Sequence, residues 1–382
     1  MADAKLTEIR ESIDATDDQI LELFLKRMEL CNDVATYKKE NNVPVLDKGR
    51  EREKLASVLE KVPSEMSAYT MALFETLFEV SKSDQSAKNN SESPLVKKIE
   101  EALSQTEDMM PETAFVACQG IEGAFSQLAT DKLFKHANIS YFPDFRSVFK
   151  AVKEGFCNFG VIPLENSSAG TVNEVYDLMS EYDFYIAKTV RIKVNHNLLA
   201  KAGTKLADVK TIFSHQQAIN QCSRFLSQLD GVEIIPVENT AIAAARIQEC
   251  GEGCAAIASA SAADAYDLSF VEKSIEDNSA NYTRFACISK DLKIYPGASR
   301  TSLSIVTSNE PGSLYKVISR FNTLEINMVK LESRPIPNRD FDYMFYFDVD
   351  CSVYSTEFER LMSSLDDVCE EFRYLGSYSE II

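Results

Sequence analysis

The chain has 382 residues, more than one compact core usually supports, and at about 100 to 200 residues per domain it predicts two or three domains, with three the expectation. A hydrophobic fraction of 45% beside 26% charged residues is ordinary globular composition, which excludes bulk disorder, and no uncharged apolar run approaches the ~18 residues of a membrane helix. A net charge of −19 excludes a nucleic-acid partner, whose phosphates need a basic face, but not an anionic small molecule gripped by a few focused cations.

Residues 5 to 40 read as one long amphipathic helix, because Leu6, Ile9, Ile13, Ile20, Leu23, Phe24, Leu30 and Val34 recur at steps of three and four without Gly or Pro. Val43-Pro44-Val45 breaks it, and Asp47 is placed to cap a second helix near 48 to 60. After Pro63 a third runs from 65 to 85. Residues 1–90 are therefore expected to be all-helical. The polar stretch Ser86 to Pro94 and a short apolar helix near Leu95 to Leu103 make 91–111 the expected linker. From 112 to 293 short apolar runs alternate with helices: Ala114 to Cys118, Cys157 to Ile162, Phe184 to Ile192, Thr211 to Phe213, Glu233 to Val237, Cys254 to Ala258 and Phe285 to Ser289. That pattern is α/β with largely buried strands. Residues 299–382 alternate strand, helix, two strands, helix and strand, a small α+β (βαββαβ) unit.

On the first helix Arg27 and Lys38 are eleven residues apart, which leaves them within about 20° of one face. Arg10 sits about 100° off that line and about 25 Å away along the axis, so a functional Arg10 reaches a site in a second chain. Each cation alone reads equally as a solvated helix face. Asp47, Arg50 and Glu51 open the second helix, and Ser81 and Gln85 lie one turn apart at the end of the third.

In type and order, Arg10, Arg27, Lys38, Asp47, Arg50, Glu51, Ser81 and Gln85 resemble the binding site of the all-helical chorismate mutase family. The resemblance implies an intertwined dimer of three-helix chains in which the first-helix arginine enters the neighbour's site. It also implies that Lys38 and Gln85 hydrogen-bond the ether oxygen and Glu51 the ring hydroxyl. The rearrangement of chorismate needs no nucleophile and no proton transfer, only a compressed conformer and charge stabilisation, which suits these groups.

Four segments punctuate the α/β unit. Gln119-Gly120-Ile121-Glu122-Gly123-Ala124-Phe125-Ser126 is a glycine turn between strand and helix, either backbone geometry or an anion cradle. Gly160 to Gly170 ends a buried strand in Glu165-Asn166-Ser167-Ser168, with Thr171 just beyond, and serves either as an N-cap or as amides that hold a carboxylate. Phe213-Ser214-His215-Gln216-Gln217 opens a helix at a strand end, and Asn281-Tyr282-Thr283-Arg284-Phe285 follows Asp277. Together they resemble prephenate dehydratases, which usually have proline where Gln216 stands. The resemblance implies a two-lobed, periplasmic-binding-protein-like domain. It makes Thr283 catalytic, with Ser126, Glu165, Asn166, Ser167, Ser168, Thr171, His215, Arg284 and Phe285 around prephenate. Arg284 and the amides of Asn166 to Ser168 would hold carboxylates, while Phe285 either meets the substrate or begins a core strand.

Glu310-Pro311-Gly312-Ser313-Leu314 and Leu331-Glu332-Ser333-Arg334-Pro335 resemble the ACT regulatory domain of dehydratases. The resemblance implies a phenylalanine effector site lined by Gly312, Ser313, Leu314, Glu332, Ser333, Arg334 and Pro335 between paired subunits. This chain has Ser313 and Tyr315 where the family commonly reads Gly-Ala-Leu-Val.

The nine cysteines include no Cys-x-x-Cys pair and none beside a histidine at metal spacing, so buried reduced thiols, no metal and no cofactor are expected. Met1-Ala2-Asp3-Ala4-Lys5 lacks the regions of a signal peptide, and the expectation is a cytoplasmic homodimer or higher homo-oligomer acting on chorismate and prephenate. The rival classes are a solute-binding protein and an amino-acid sensor with decayed sites. Thr283-Arg284-Phe285 opposes the first, and the complete set of cations opposes the second.

Overall fold

The computed structural model describes residues 2–41, 48–89, 94–336, 339, 342–365 and 368–382. Asp47, the expected cap of the second helix, lies outside the described residues. Helix α1 (Ala2–Glu40) runs unbroken for 39 residues, as its lack of Gly and Pro allows; α3 (Ser67–Asn89) packs beside its C-terminal half, and α2 (Lys48–Leu59) packs on α3. Ala35 is buried there, yet Leu6, Ile9, Ile13, Ile20, Leu23 and Leu30 stay exposed. The apolar stripe that marks α1 as a bundle helix is thus uncovered along most of its length within one chain.

Inside the expected linker stands helix α4 (Pro94–Gln105), whose Ile99 and Ala102 are buried in the core of the C-terminal unit. That stretch is a packed element rather than a bare tether.

The α/β unit has two lobes. The first comprises β1 (Thr113–Gln119), α5 (Phe125–Leu133), β2 (His136–Phe142), α6 (Phe145–Lys153), β3 (Phe159–Asn166), β4 (Gly170–Thr171), α7 (Asn173–Glu181) and β5 (Tyr185–Lys193). The chain then crosses into β6 (Asn197–Ala200), β7 (Thr211–Ser214), α8 (Gln216–Gln221), α9 (Ser223–Leu226), β8 (Glu233–Pro236), α10 (Thr240–Ile247), β9 (Cys254–Ala258), α11 (Ala260–Ala265) and β10 (Ser269–Glu272). It returns in β11 (Tyr282–Ser289), which lies antiparallel between β5 and β3. The second lobe is an insertion with its own sheet, ordered β10-β6-β9-β7-β8, and only two strand-to-strand passages join it to the first.

The C-terminal unit comprises β12 (Arg300–Val306), α12 (Ser313–Thr323), β13 (Asn327–Pro335), β14 (Tyr343–Asp350), α13 (Thr356–Leu365) and β15 (Glu371–Tyr378), an antiparallel sheet of order β13-β14-β12-β15. A last strand, β16 (Glu380–Ile381), leaves that sheet and pairs with β5 of the first lobe. Tyr346, Leu375 and Tyr378 also share one core with Val148, Phe149 and Val152 of α6, so the two units are fused by apolar packing. Among the described residues no helix is long and apolar enough to cross a membrane.

The glycine turn after β1 proves to be a contact between the lobes. Gly123, at φ +83°, accepts hydrogen bonds at its carbonyl from the hydroxyls of Ser259 (2.8 Å) and Ser261 (3.2 Å). A Cβ at this position would lie 2.9 Å from Ala262 Cα. Gly123→Ala is therefore expected to lose about 2–4 kcal/mol through left-handed strain and overpacking, read by thermal unfolding, and an unchanged melting temperature would refute that close approach.

Candidate active sites

The first site lies between α1, α2 and α3. A cavity of about 290 Å³ is lined by Arg27, Lys38, Arg50, Glu51, Ser81 and Gln85, with Lys54 and Lys82 beside them. Five cationic side chains face one carboxylate there, in a protein of net charge −19. The spacing of α1 brings Arg27 and Lys38 to one face, and α3 brings Ser81 and Gln85 opposite. Arg27 donates to the Leu77 carbonyl (3.0 Å) and to the Ser81 hydroxyl, and its guanidinium lies over the Phe78 ring. The Gln85 amide donates to the Cys31 carbonyl (3.1 Å). Glu51 is held by Lys82 at 3.2 Å. Six of the eight residues expected around chorismate thus line one cavity, while Arg10, outside it, is exposed on α1.

The second site lies where β3 ends and β11 begins, at the passage between the lobes. Thr283 and Asn166 are paired neighbours on adjacent strands. The Asn166 amide donates to the Thr283 hydroxyl oxygen (2.9 Å) and to the Asn281 side-chain oxygen (2.8 Å). Asn281 donates onward to Gln221 Oε1 (3.1 Å), which lies 2.9 Å from His196 Nε2. A connected polar chain therefore runs from His196 in the second lobe to Thr283 in the first, and in such chains each hydrogen bond polarises the next. Burial holds His196 below its usual pKa against the opposing bond to Gln221, so the ring is neutral at neutral pH. Desolvation raises the Asp277 carboxyl, but the Ser223 hydroxyl and the amides of Ser223 and Arg224 overcome this and hold it below the usual carboxylate range. Asp277 thereby ties the returning passage to the start of α9.

Several expected substrate contacts are spent elsewhere. The amides of Ser168 (3.0 Å) and Ala169 (2.9 Å) donate to Asn166 Oδ1, and that of Ser167 to the Tyr282 carbonyl (2.8 Å). The Asn166 segment thus closes a turn on itself and caps no helix, since Val172 precedes α7 without a side-chain cap, and the amides it occupies are not open to a carboxylate. The Ser167 hydroxyl accepts from the Tyr282 amide (2.9 Å), Ser126 donates to the Gln119 carbonyl (2.6 Å), and His215 caps α8 by accepting from the Gln217 amide (3.3 Å). Phe285 is buried in the core among Val116, Cys118 and Val161, which corrects its assignment to prephenate.

Arg284 is the larger correction. Successive side chains of a strand face opposite ways, so Thr283 turns to the polar chain and Arg284 turns to the C-terminal unit. Its Nε approaches Glu165 at 2.9 Å, its Nη2 donates to Asp348 on β14, and it is 4% exposed. Burial alone would drag its pKa down. Asp348, with Tyr378 and Glu165, more than offsets that and holds it above the ordinary value. Glu165 also takes Lys330 (2.7 Å), Thr171 donates to Glu332 (2.6 Å), and Arg334 forks onto Asp177 (2.8–3.0 Å). Glu165 and Thr171 consequently face β13, not a ligand.

Asn281, Gln221 and His196 were missing from the sequence-derived set, although Asn281 and Gln221 stand inside or beside the quoted segments. His196 had one signal, that it is among only three histidines, and it directly precedes the buried strand β6. None of the buried cysteines offers a thiolate, since desolvation pushes Cys118 and Cys222 up to about 12.

Residues 116–293 match the family Prephenate dehydratase, and residues 9–86 match Chorismate mutase type II. A bifunctional chorismate mutase/prephenate dehydratase of Pseudomonas aeruginosa is 31% identical over 389 residues, covering 100% of both chains. The solved prephenate dehydratase of Staphylococcus aureus matches with TM-score 0.62 at 26% identity, over 69% of this chain and 99% of that one. A solved quorum-quenching acylase, GqqA, matches with TM-score 0.64 at 30% identity, over 69% and 97%. The helical unit is thus a chorismate mutase and the two-lobed unit a prephenate dehydratase. The chain belongs to the bifunctional chorismate mutase/prephenate dehydratase family and converts chorismate to prephenate, and prephenate to phenylpyruvate, in phenylalanine biosynthesis.

Two measurements check this geometry. Arg284→Leu leaves two carboxylates without their buried partner, and about 3–5 kcal/mol of stability should be lost in urea unfolding. A rise in prephenate KM at unchanged stability would instead restore the carboxylate-clamp role. His196 releases its proton more readily when folded. Its contribution to stability is therefore complete above the unfolded pKa of 6.5 and falls as the pH drops through 6.5, levelling below the folded value. His196→Gln should flatten that limb as the pH falls through 6.5, and an identical slope in both proteins would reject it.

Proposed function

We propose that the mutase reaction runs in the cationic cavity of the helical unit, with Arg27 and Arg50 clamping the two carboxylates of chorismate by charge-assisted hydrogen bonds. Lys38 and Gln85 stabilise the ether oxygen as its bond to the ring breaks, and Glu51 takes the ring hydroxyl. The excess of five cations over one carboxylate carries this reading, because the rearrangement asks only for a compressed dianion and a stabilised oxygen.

In the dehydratase site the electron pair of the breaking bond between ring and carboxylate moves into the ring and expels the hydroxyl, which leaves as water once protonated. Thr283 hydrogen-bonds the departing hydroxyl. The observation behind this role is the Asn166 amide, which donates to Thr283 Oγ1 and leaves the threonine proton free to point outward, polarised by the bond it accepts. A second role, for Asn281, follows from its place in the same chain: it keeps Asn166 turned toward Thr283.

The C-terminal unit acts as an ACT domain that binds phenylalanine near Gly312 to Leu314 and Glu332 to Pro335. Its left-handed Gly312 turn before α12 and the βαββαβ order support this. Lys330, Glu332 and Arg334, on one face of β13, meet Glu165, Thr171 and Asp177, so a shift of that strand reaches the residue next to Asn166. A second copy of the chain covers the exposed stripe of α1 and receives Arg10, which favours a homodimer.

A coupled assay from chorismate to phenylpyruvate tests the pair of sites. Lys38→Ala should lower mutase turnover about 10²–10³-fold and spare the dehydratase, and Thr283→Ala should do the reverse by about 10²–10⁴-fold. Near-normal turnover in either variant refutes that residue's role, and full dehydratase activity in millimolar phenylalanine removes the effector site.

A further inference from the structure

Helix α12 of the C-terminal unit carries Arg320, which is only 1% exposed and points out of its own domain. Its guanidinium donates to the backbone carbonyl of Glu79 and, at 2.7 Å, to the Glu79 carboxylate. Glu79 lies on α3 of the mutase unit. The other oxygen of that carboxylate pairs with Lys82 at 2.6 Å, and Lys82 reaches Glu51 at 3.2 Å on the wall of the mutase cavity. Charge alternates along this line, cation, carboxylate, cation, carboxylate. Side-chain exposure rises from 1% at Arg320 through 9% and 12% to 30% at Glu51. The buried end is anchored in the C-terminal unit and the open end faces chorismate.

We propose that Arg320 is a positioning residue for the mutase reaction: it occupies Glu79 and so leaves Lys82 shared with Glu51. The proposal rests on the reading of Glu51 as part of the mutase site. Lys82 already sits closer to Glu79 than to Glu51, so the balance between the two carboxylates is set by how much of Glu79 is satisfied from elsewhere. Without Arg320, a desolvated Glu79 keeps Lys82 to itself. Glu51 then loses its partner beside Arg50, Lys54 and Lys38, and its carboxylate competes with those of chorismate for the same cations. The effect falls on the mutase alone, because Arg320 and the Thr283 network share no residue.

The test uses the full chain. In Arg320→Gln the KM for chorismate should rise about ten- to a hundredfold, the worth of one charge-assisted hydrogen bond, with a smaller fall in kcat and an unchanged dehydratase. Arg320→Lys should recover part of the loss. The decisive variant adds Glu79→Gln to Arg320→Gln: with the competing carboxylate gone, Lys82 returns to Glu51 and KM falls back toward the parent value. A merely structural arginine would lower thermal stability and both activities in parallel, and Glu79→Gln would restore them in parallel; that result overturns the proposal. So does an unchanged KM in Arg320→Gln. If Arg320→Gln fails to fold and loses both activities, Arg320→Lys decides by its KM: a raised KM for chorismate beside an unchanged dehydratase upholds the proposal, and parent values for both overturn it. Glu51→Gln is measured in parallel. A normal mutase rate there sinks the reading of the site itself, whereas an impaired Glu51→Gln beside a normal Arg320→Gln sinks only the role of Arg320.

Discussion

A full positive charge buried at Arg284 constrains most of the architecture from β3 to the C-terminus. Taking a guanidinium out of water is costly unless its donors are met, and no single unit supplies enough partners. Glu165 comes from the first lobe and Asp348 from the C-terminal sheet, where Asp348 also accepts from Ser302, itself hydrogen-bonded to Tyr378. Such a cluster is weak evidence of net stability, yet it joins β14 of the C-terminal sheet to β11 of the first lobe at a buried point. β13 pairs with β14 and carries three polar pairs toward the first lobe, Lys330 to Glu165, Thr171 to Glu332 and Arg334 to Asp177. Strand alternation does the rest. The residue before Arg284 must look the other way, toward the passage between the lobes, where Thr283 meets Asn166.

Local periodicity was enough to read the helical unit and the order of the α/β elements. The steps of three and four on α1, and the cations they line up, were legible because a helix converts spacing into facing without help from the rest of the fold. Strands β2, β4, β6, β10 and β16 carry no such local mark. β2 runs along a sheet edge with alternating partial exposure, so it lacks the solid apolar run of β1 or β3, and β4 and β16 have two residues each. A short strand is stabilised by its neighbours more than by its own composition.

The site was legible in its members and illegible in their directions. Thr283 and Asn166 could be named from segments that follow one another in order. That the amides after Asn166 are consumed by Asn166 itself depends on a turn closed by β4, and that Arg284 faces away depends on Asp348, sixty-four residues later. Charge partners at such separation leave no trace in local pattern. His196 and Gln221 escaped for the same reason, since they belong to the second lobe and reach the site only when the two lobes are brought together.

How the cores are divided also decides which part of the molecule can move. The C-terminal unit shares a core with the first lobe through Tyr346, Leu375 and Tyr378, receives α4, sends β16 into the first lobe's sheet, and caps α7 with Arg373, which donates to the carbonyls of Met179, Tyr182 and Phe184. These are apolar or main-chain fastenings, and they make one body of two units. The second lobe differs: its two clusters contain only residues between Leu198 and Ile275, and it meets the first lobe where Gly123 packs on Ala262 and accepts from Ser259 and Ser261, and through the chain from Gln221 to Asn281. Polar contacts of that kind can be exchanged for water, whereas a shared apolar core cannot be opened without unfolding. The passages after β5 and before β11 are thus the slender joints between the lobes. His196, Gln221 and Asn281 lie at that seam, and the same chain holds Asn166 against Thr283, so the alignment of the threonine depends on side chains from both lobes.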